Sequence, residues 1–150
     1  MPHKIPESIL VVIHTPDLMV LLLERAHRRE FWQSVSGSLD TPNEAFVDAA
    51  IREVREETGI DATRHALVDW QVSNRFKIYK RWRNRYAPGV THNMEHVFGL
   101  TVPAVQDVTL APNEHEAWQW LPWREAAAKT FSWSNRDAIL MLPMRSGRRH

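Results

Sequence analysis

Short apolar runs separated by polar turns dominate the first part of the chain. The runs 8–13 and 18–23 flank Thr15-Pro16-Asp17, which is a turn signal, so this pattern predicts a buried antiparallel hairpin. Aromatic and β-branched residues predict further strands at 66–72, 76–82, 94–102 and 117–121. Helical patterns predict one long helix over 42–58 and two shorter ones over 123–129 and 135–142.

The long helix has recognisable start and stop signals. Thr41 suits the N-cap, Pro42 the first helical position, and Glu44 completes a capping box. Gly59 is typical of the residue that ends a helix. We therefore expect the helix to begin at Pro42 and to end before Gly59.

The same helix places apolar and acidic residues on neighbouring faces. At about 100° per residue, an apolar stripe falls on Val47, Ile51 and Val54. Three carboxylates share an arc beside this stripe: Glu53, Glu56 and Glu57. We expect the acids to lie next to the core.

These carboxylates are unfavourable for the helix. Glu53 repels Glu57 at i,i+4 and Glu56 at i,i+3, at about 0.2–0.5 kcal/mol for each pair. Glu56 and Glu57 also lie in the last turn, at the negative end of the helix dipole. A solvated acidic face is one explanation. A Mg²⁺ or Mn²⁺ site is the other, because these ions bind carboxylate oxygens together with substrate phosphates.

Length and composition indicate one globular domain over residues 1–150, with 145–150 as a loose tail. The 150 residues are 43% hydrophobic and 25% charged. There is no cysteine, which excludes disulfides, thiolate zinc sites and cysteine nucleophiles, and is compatible with a cytoplasmic location. No apolar run approaches the roughly 18 residues of a membrane span, and the first residues do not resemble a signal peptide.

The net charge of +1 hides a separation of charge along the chain. The segment 44–61 is mainly acidic, whereas 75–85 contains bases and no acid. In 76–82, apolar residues alternate with Lys77 and Arg81, which predicts a basic strand face that could gather a polyanion. The alternative is an edge strand kept basic to prevent aggregation.

The acids stand in a frame that resembles the Nudix box: Gly37-x6-Glu44-x7-Arg52-Glu53-Val54-Arg55-Glu56-Glu57-Thr58-Gly59-Ile60. The family usually has one residue fewer between the first Gly and the first Glu. The resemblance implies an α+β fold, an α/β/α sandwich with a central mixed sheet. It also implies that Glu53, Glu56, Glu57 and the Gly37 carbonyl hold Mg²⁺, for which Mn²⁺ can substitute, while Arg52 orients the glutamates. A further acid from a distant loop would be Glu114, with Glu116 in reserve.

Other segments resemble one Nudix subfamily, the dihydroneopterin triphosphate diphosphatases of bacterial folate synthesis. They are 31–38, 85–91, 114–121 and 132–136. This resemblance implies Mg²⁺-dependent hydrolysis of 7,8-dihydroneopterin triphosphate to the monophosphate and pyrophosphate. It places around the substrate Lys4, Arg25, Ser36, Phe76, Lys77, Ile78, Tyr79 and Ser132.

Other functions stay open at this point. One is a Nudix hydrolase for (d)NTPs or dinucleoside polyphosphates, and another is a non-catalytic module that binds nucleotides or RNA ends. The sequence His92-x-x-Glu95-His96 matches a zinc signature that requires a helix, but its surroundings predict a strand. We expect a small triphosphate as partner, with neither nucleic acid nor membrane, and leave the oligomeric state open.

Overall fold

The computed structural model describes residues 3–145 and has an α+β fold. Its strands are β1 (Glu7–His14), β2 (Met19–Arg25), β3 (Trp32–Gln33), β4 (Val35–Ser38), β5 (Ala66–Lys77), β6 (His92–Thr101) and β7 (His115–Pro122). Its α-helices are α1 (Phe46–Thr58), α2 (Trp123–Lys129), α3 (Trp133–Leu140) and α4 (Leu142–Arg145). Two 3₁₀ helices cover Ala62–Arg64 and Lys80–Arg85.

The strands form a mixed sheet in the order β3-β2-β1-β6-β5, in which β4 also pairs with β1 and β7 with β2. Among the described strands, β1 and β6 are the pair that runs parallel. The predicted hairpin of β1 and β2 is correct in direction but wrong in extent, because the two strands pair only at His14 and Val20. Beyond that pair β1 continues against β4 and β2 against β7.

Helices cover both faces of the sheet, as in an α/β/α sandwich. Along β1, alternate side chains enter different cores, since Ile9 and Val11 pack beneath α1 whereas Leu10 and Val12 pack beneath α2 and α3. The sheet therefore has two buried faces, which explains why β1 appears as an uninterrupted apolar run.

The helix α1 begins later than the sequence predicts. It starts at Phe46, and its N-cap residue Ala45 makes no side-chain cap bond. The prediction of a capping box at Thr41 and a start at Pro42 is wrong, because the Glu44 carboxylate accepts from the Asp40 N–H and from Arg52 instead. The predicted end is confirmed, since Gly59 has φ 77° and donates to the Arg55 carbonyl.

The buried face of α1 is also rotated from the predicted one. Val54 is fully buried and the half-buried Ile51 packs against the core, but Val47 is 45% exposed, so the predicted apolar stripe is wrong at Val47. The small residues Ala49 and Ala50 face the sheet instead. This rotation places two of the acids on the buried side of the helix.

The basic segment is not the strand that its alternation predicts. β5 is one strand that ends at Lys77, and Lys80–Arg85 forms a 3₁₀ helix. The Trp82 N–H donates to the Tyr79 carbonyl, which turns the chain, and the Arg81 guanidinium lies 5.2 Å from the centroids of both rings. Aromatic stacking of arginine therefore replaces strand pairing here.

The remaining elements agree more closely with the sequence. Residues 123–129 form α2 as predicted, and the helix predicted over 135–142 is α3, displaced towards the N-terminus. His92 and His96 lie on the strand β6, so the helix that the zinc signature needs is absent from this described segment.

Most of the predicted tail, 146–150, lies outside the described residues. Within residues 3–145, no helix is long and apolar enough to span a membrane.

Gly99 of β6 is required by close packing against Trp70. A Cβ at position 99 would lie 2.5 Å from Trp70 Nε1, and Trp70 is itself buried. We expect Gly99→Ala to lower the free energy of unfolding by about 1–3 kcal/mol, as is typical of overpacked cores. Chemical denaturation of Gly99→Ala, Trp70→Phe and the double variant measures this coupling. If Gly99→Ala costs as much when Trp70→Phe is also present as it does alone, the explanation is contradicted.

Candidate active site

A cavity of about 990 Å³ lies between the C-terminal half of α1, the strands β1, β4 and β6, and the start of α3. Glu53 and Glu57 of α1 lie on one side of it, and the segment from Phe76 to Tyr79 lies on another. A smaller cavity of about 570 Å³ is lined by Glu7 and His92, and neither Glu53 nor Glu57 contributes to it.

Glu53 and Glu57 are one helical turn apart and both buried, with 9% and 2% of their surface exposed. Glu53 lies directly over Gly37 of β4, where a Cβ atom would overlap its Oε2. Glycine at position 37 therefore allows the carboxylate to lie against the strand. The contact joins Gly37, the first residue of the motif that runs from Gly37 to Ile60, to Glu53, one of the acids of that motif.

The two carboxylates destabilise each other in their ionised forms. Burial raises the pKa of Glu57 well above its usual range, and the charges of Glu53 and Glu114 raise it further. Burial also raises the pKa of Glu53, against the opposing effect of Arg52. Glu114 is exposed and lines the same cavity as Glu53 and Glu57, so a third acid lies near the pair.

His115 approaches Glu57 without forming an ion pair with it. Its Nε2 lies 3.8 Å from Glu57 Oε1 and 3.3 Å from the side-chain nitrogen of Gln33. Burial lowers the pKa of His115 to about 4, so the imidazole is neutral near pH 7. Because 3.8 Å is too long for a hydrogen bond, Glu57 Oε1 stays buried without a donor.

Arg52 holds the acidic groups around the helix. Its guanidinium donates to both oxygens of Glu44 at 3.0 Å. The same group lies 3.5 Å from Glu53 Oε2 and 3.6 Å from Glu56 Oε2. It also donates to the Ser38 carbonyl at 3.2 Å, which ties α1 to the end of β4. This is the geometry of a positioning residue.

The buried acids fit a divalent cation. Glu57 has an orphaned oxygen, and two adjacent carboxylates with raised pKa values would both be stabilised by a bound positive charge. In residues 3–145, no group of three or more His, Asp or Glu side chains is arranged as a complete metal site. Mg²⁺ is commonly held by one or two carboxylates plus substrate phosphates and water, which matches an incomplete protein site.

A group of cations faces the same cavity. Lys4, Arg25 and Arg85 line it, and the pKa of Lys4 is lowered by burial and by the charges of Arg85 and Arg25. Within residues 3–145, none of these cations forms a salt bridge with Glu53 or Glu57; Arg52 is the cation near Glu53, and the neutral His115 is the nearest basic side chain to Glu57. The cavity thus contains separate acidic and basic groups, each repelled by its own members.

Comparison with known proteins identifies the family. The family described as "NUDIX domain" matches residues 4–142, which is most of the chain. The chain belongs to the NUDIX family. Nudix hydrolases use divalent metal ions.

Individual relatives extend the comparison. The chain is 46% identical over 140 residues to a dihydroneopterin triphosphate diphosphatase of Escherichia coli, covering 91% of both proteins. It is 37% identical over 142 residues to a protein of the same name from Haemophilus influenzae, covering 93% of this chain and 88% of that protein. The structure of the E. coli dihydroneopterin triphosphate pyrophosphohydrolase superposes with a TM-score of 0.88 at 44% identity, over 97% of this chain and 99% of that one.

The NUDIX chain brings most of the sequence-predicted site residues to one cavity. Lining it are Lys4, Arg25, Ser36, Gly37, Glu53, Glu57, Phe76, Lys77, Ile78, Tyr79, Glu114 and Ser132. Arg52 and Glu56 do not line it, and the Glu56 side chain is 51% exposed. The reserve ligand Glu116 points elsewhere and accepts from the His27 N–H.

Sequence reasoning missed several residues of the cavity. His115 follows Glu114 directly, so its neighbour could have indicated it. Arg85 belongs to the basic segment, but the alternation in that segment pointed to Lys77 and Arg81 instead. Glu95 entered only as part of a zinc signature, yet it is 6% exposed, lines the cavity, and has a pKa raised to about 7 by burial.

Gly37→Ala should reduce activity more than stability. The new methyl group would displace the flexible end of Glu53, and displacements of this size near a reacting centre cost roughly 100-fold in rate. We expect such a loss in the metal-dependent hydrolytic rate with little change in thermal unfolding. A fully active Gly37→Ala variant would contradict the role of this contact.

Glu95→Gln should stabilise the protein increasingly as the pH rises. Because the folded-state pKa of Glu95 is raised from 4.5 to about 7, its charge penalises the folded state progressively across that interval. The variant's advantage over the parent should therefore grow between pH 5 and pH 8, by on the order of 1–3 kcal/mol. Urea unfolding of both proteins at several pH values measures this. If the difference in unfolding free energy between the variant and the parent does not change with pH, the raised pKa of Glu95 is contradicted.

Proposed function

We propose that this NUDIX chain is a Mg²⁺-dependent pyrophosphohydrolase that converts 7,8-dihydroneopterin triphosphate to the monophosphate and pyrophosphate. The observation that carries the proposal is the charge arrangement of the cavity, where buried acids and a cation group line the same space and, within residues 3–145, form no ion pairs with each other. A metal–triphosphate complex carries positive charge on the metal, which would neutralise the acids, and negative charge on the phosphates, which would neutralise the cations. The names of the E. coli and H. influenzae relatives support the choice of substrate.

Glu53 and Glu57 would hold the metal, with Glu114 facing them across the cavity. The family resemblance adds Glu56 and the Gly37 carbonyl to this set. When bound, Mg²⁺ supplies neutralisation of phosphate charge and lowers the pKa of a coordinated water. Arg52 keeps Glu53 and Glu56 oriented through its contacts with both.

The cations would bind the phosphate chain. Lys4 and Arg25 both line the cavity, where their reduced hydration strengthens their attraction for an anion. Arg25 is further held 4.9 Å from the Trp82 ring centroid, so its position is fixed before a substrate arrives. Lys77 lies at the end of β5, on the rim of the same cavity.

Aromatic and hydroxyl groups would take the organic part of the substrate. Phe76, Ile78 and Tyr79 supply flat or apolar surface, and Ser36 and Ser132 supply hydroxyl groups. These groups suit a pterin ring, because the ring is planar and its edges form hydrogen bonds. The family resemblance and the names of the relatives support placing this reaction within bacterial folate synthesis, in the cytoplasm.

Glu57→Gln should lower turnover by a factor of at least about 100 while the protein stays folded, because one metal-binding charge is lost from a buried site. Pyrophosphate release from dihydroneopterin triphosphate with Mg²⁺ measures the effect. Asp48→Asn is the matched control, since Asp48 is an exposed acid of the same helix. Equal Mg²⁺-dependent rates in the Glu57→Gln variant and the parent would overturn the metal assignment.

A substrate panel tests the organic part of the proposal separately. Dihydroneopterin triphosphate should exceed (d)NTPs and dinucleoside polyphosphates in kcat/KM, with pyrophosphate rather than phosphate released. If a dNTP is preferred by a wide margin, the substrate is wrong although the reaction class survives. Absence of turnover with every triphosphate would favour a non-catalytic binding module.

A further inference from the structure

A row of polar residues crosses the sheet face that is otherwise packed beneath α2 and α3. On β6, Asn93 and Glu95 share this face with the buried Val97. Glu95 lies beside Ser8 of β1, which in turn lies beside Ser38 of β4. Both Asn93 and Glu95 line the large cavity, at the side formed by the sheet.

Two acceptor atoms of this row have no donor. Glu95 Oε1 and Asn93 Oδ1 are buried without a hydrogen-bond partner, although the residues are only 6% and 2% exposed. The Asn93 amide nitrogen donates to Ser8 Oγ at 2.7 Å, which turns its oxygen away from that bond. Buried polar atoms are almost always satisfied, so two neighbouring orphan acceptors in a cavity wall indicate donors that a ligand brings.

Glu95 also lacks a cation within the described chain. Its hydrogen-bond partner is the buried Ser134 at the start of α3, and none of the salt bridges of residues 3–145 includes it. An ionised carboxylate can accept about four hydrogen bonds, so one serine leaves most of its capacity unused. The raised pKa of this group has the same cause, since burial is not offset by enough donors.

We propose that Glu95, together with Asn93, recognises the 2-amino-4-oxopyrimidine edge of the substrate's ring. That edge presents a ring N–H and an adjacent amino group, three donor hydrogens against the free acceptors of Glu95 and Asn93. Pterins and guanine share it, whereas adenine has an acceptor nitrogen in place of the ring N–H. This inference rests on the proposed function, because it names the base that the same site selects.

The surroundings of Glu95 suit a flat ring. Phe76 lies opposite Asn93 across the β5–β6 pair, and the buried Ile78 follows it along the chain into the cavity. A ring held between such surfaces turns its edge, rather than its face, towards the polar row. A site with buried acceptors rejects analogues that lack the donors, because its own groups then stay unpaired.

Binding of neopterin alone, without phosphates or metal, tests the proposal independently of catalysis. Quenching of pterin fluorescence gives the dissociation constant for the parent, Glu95→Gln and Glu125→Gln, the last being an exposed acid outside the cavity. We expect Glu95→Gln to weaken binding by roughly 10–100-fold, the effect of losing charge-assisted hydrogen bonds, and Glu125→Gln to leave it unchanged. Equal affinities in the parent and Glu95→Gln, or no binding by the parent, would overturn the proposal.

Hydrolysis of GTP and ITP with Mg²⁺ gives a second readout, since ITP differs from GTP only by the missing amino group. The parent should favour GTP in kcat/KM by about tenfold or more, and Glu95→Gln should bring this ratio close to one. An unchanged ratio would contradict the role of Glu95. If the parent hydrolyses no triphosphate, the proposed function fails, while neopterin binding still decides whether Glu95 reads the ring.

Discussion

The site depends on the burial of two like-charged carboxylates on the sheet-facing side of α1. Glu53 and Glu57 occupy positions where a helix of this kind would normally carry apolar side chains, and Gly37 provides the space for Glu53. Each carboxylate raises the cost of ionising the other, and among the described residues no cation forms an ion pair with Glu57. A positive charge supplied from outside would therefore stabilise the ionised forms of both carboxylates.

The rest of the cavity follows the same principle. Lys4 and its neighbouring arginines repel one another, and Glu95 is a third buried acid with unused acceptors. Each group would be stabilised by a different part of one ligand, namely metal, phosphates and ring edge. Binding selectivity and folding stability are thus opposed at these positions, since the changes that relieve the buried charges remove the groups that a substrate would contact.

Local sequence signals predicted much of the architecture. The apolar runs of β1 and β2, the end of α1 at Gly59 and the extent of α2 agree with the structure because each depends on nearby residues. The start of α1 did not follow its local signal. Glu44, which the capping box requires, is bound by Arg52 from the next turns of the helix, and this contact exists only after the chain has folded.

Residue types and their spacing along the chain indicated the chemistry: Arg52, Glu53 and Glu57 pointed to acids for a metal, and the basic segment pointed to cations for phosphates. Which of the acids are buried depends on the folded protein, because the rotation of α1 is set by how its small residues fit the sheet. The fold also brought Glu95 to the cavity, since the register of β6 against β1 sets which side chains share a face. Pairing between distant strands leaves no local pattern in the sequence, whereas residue type and helical spacing do.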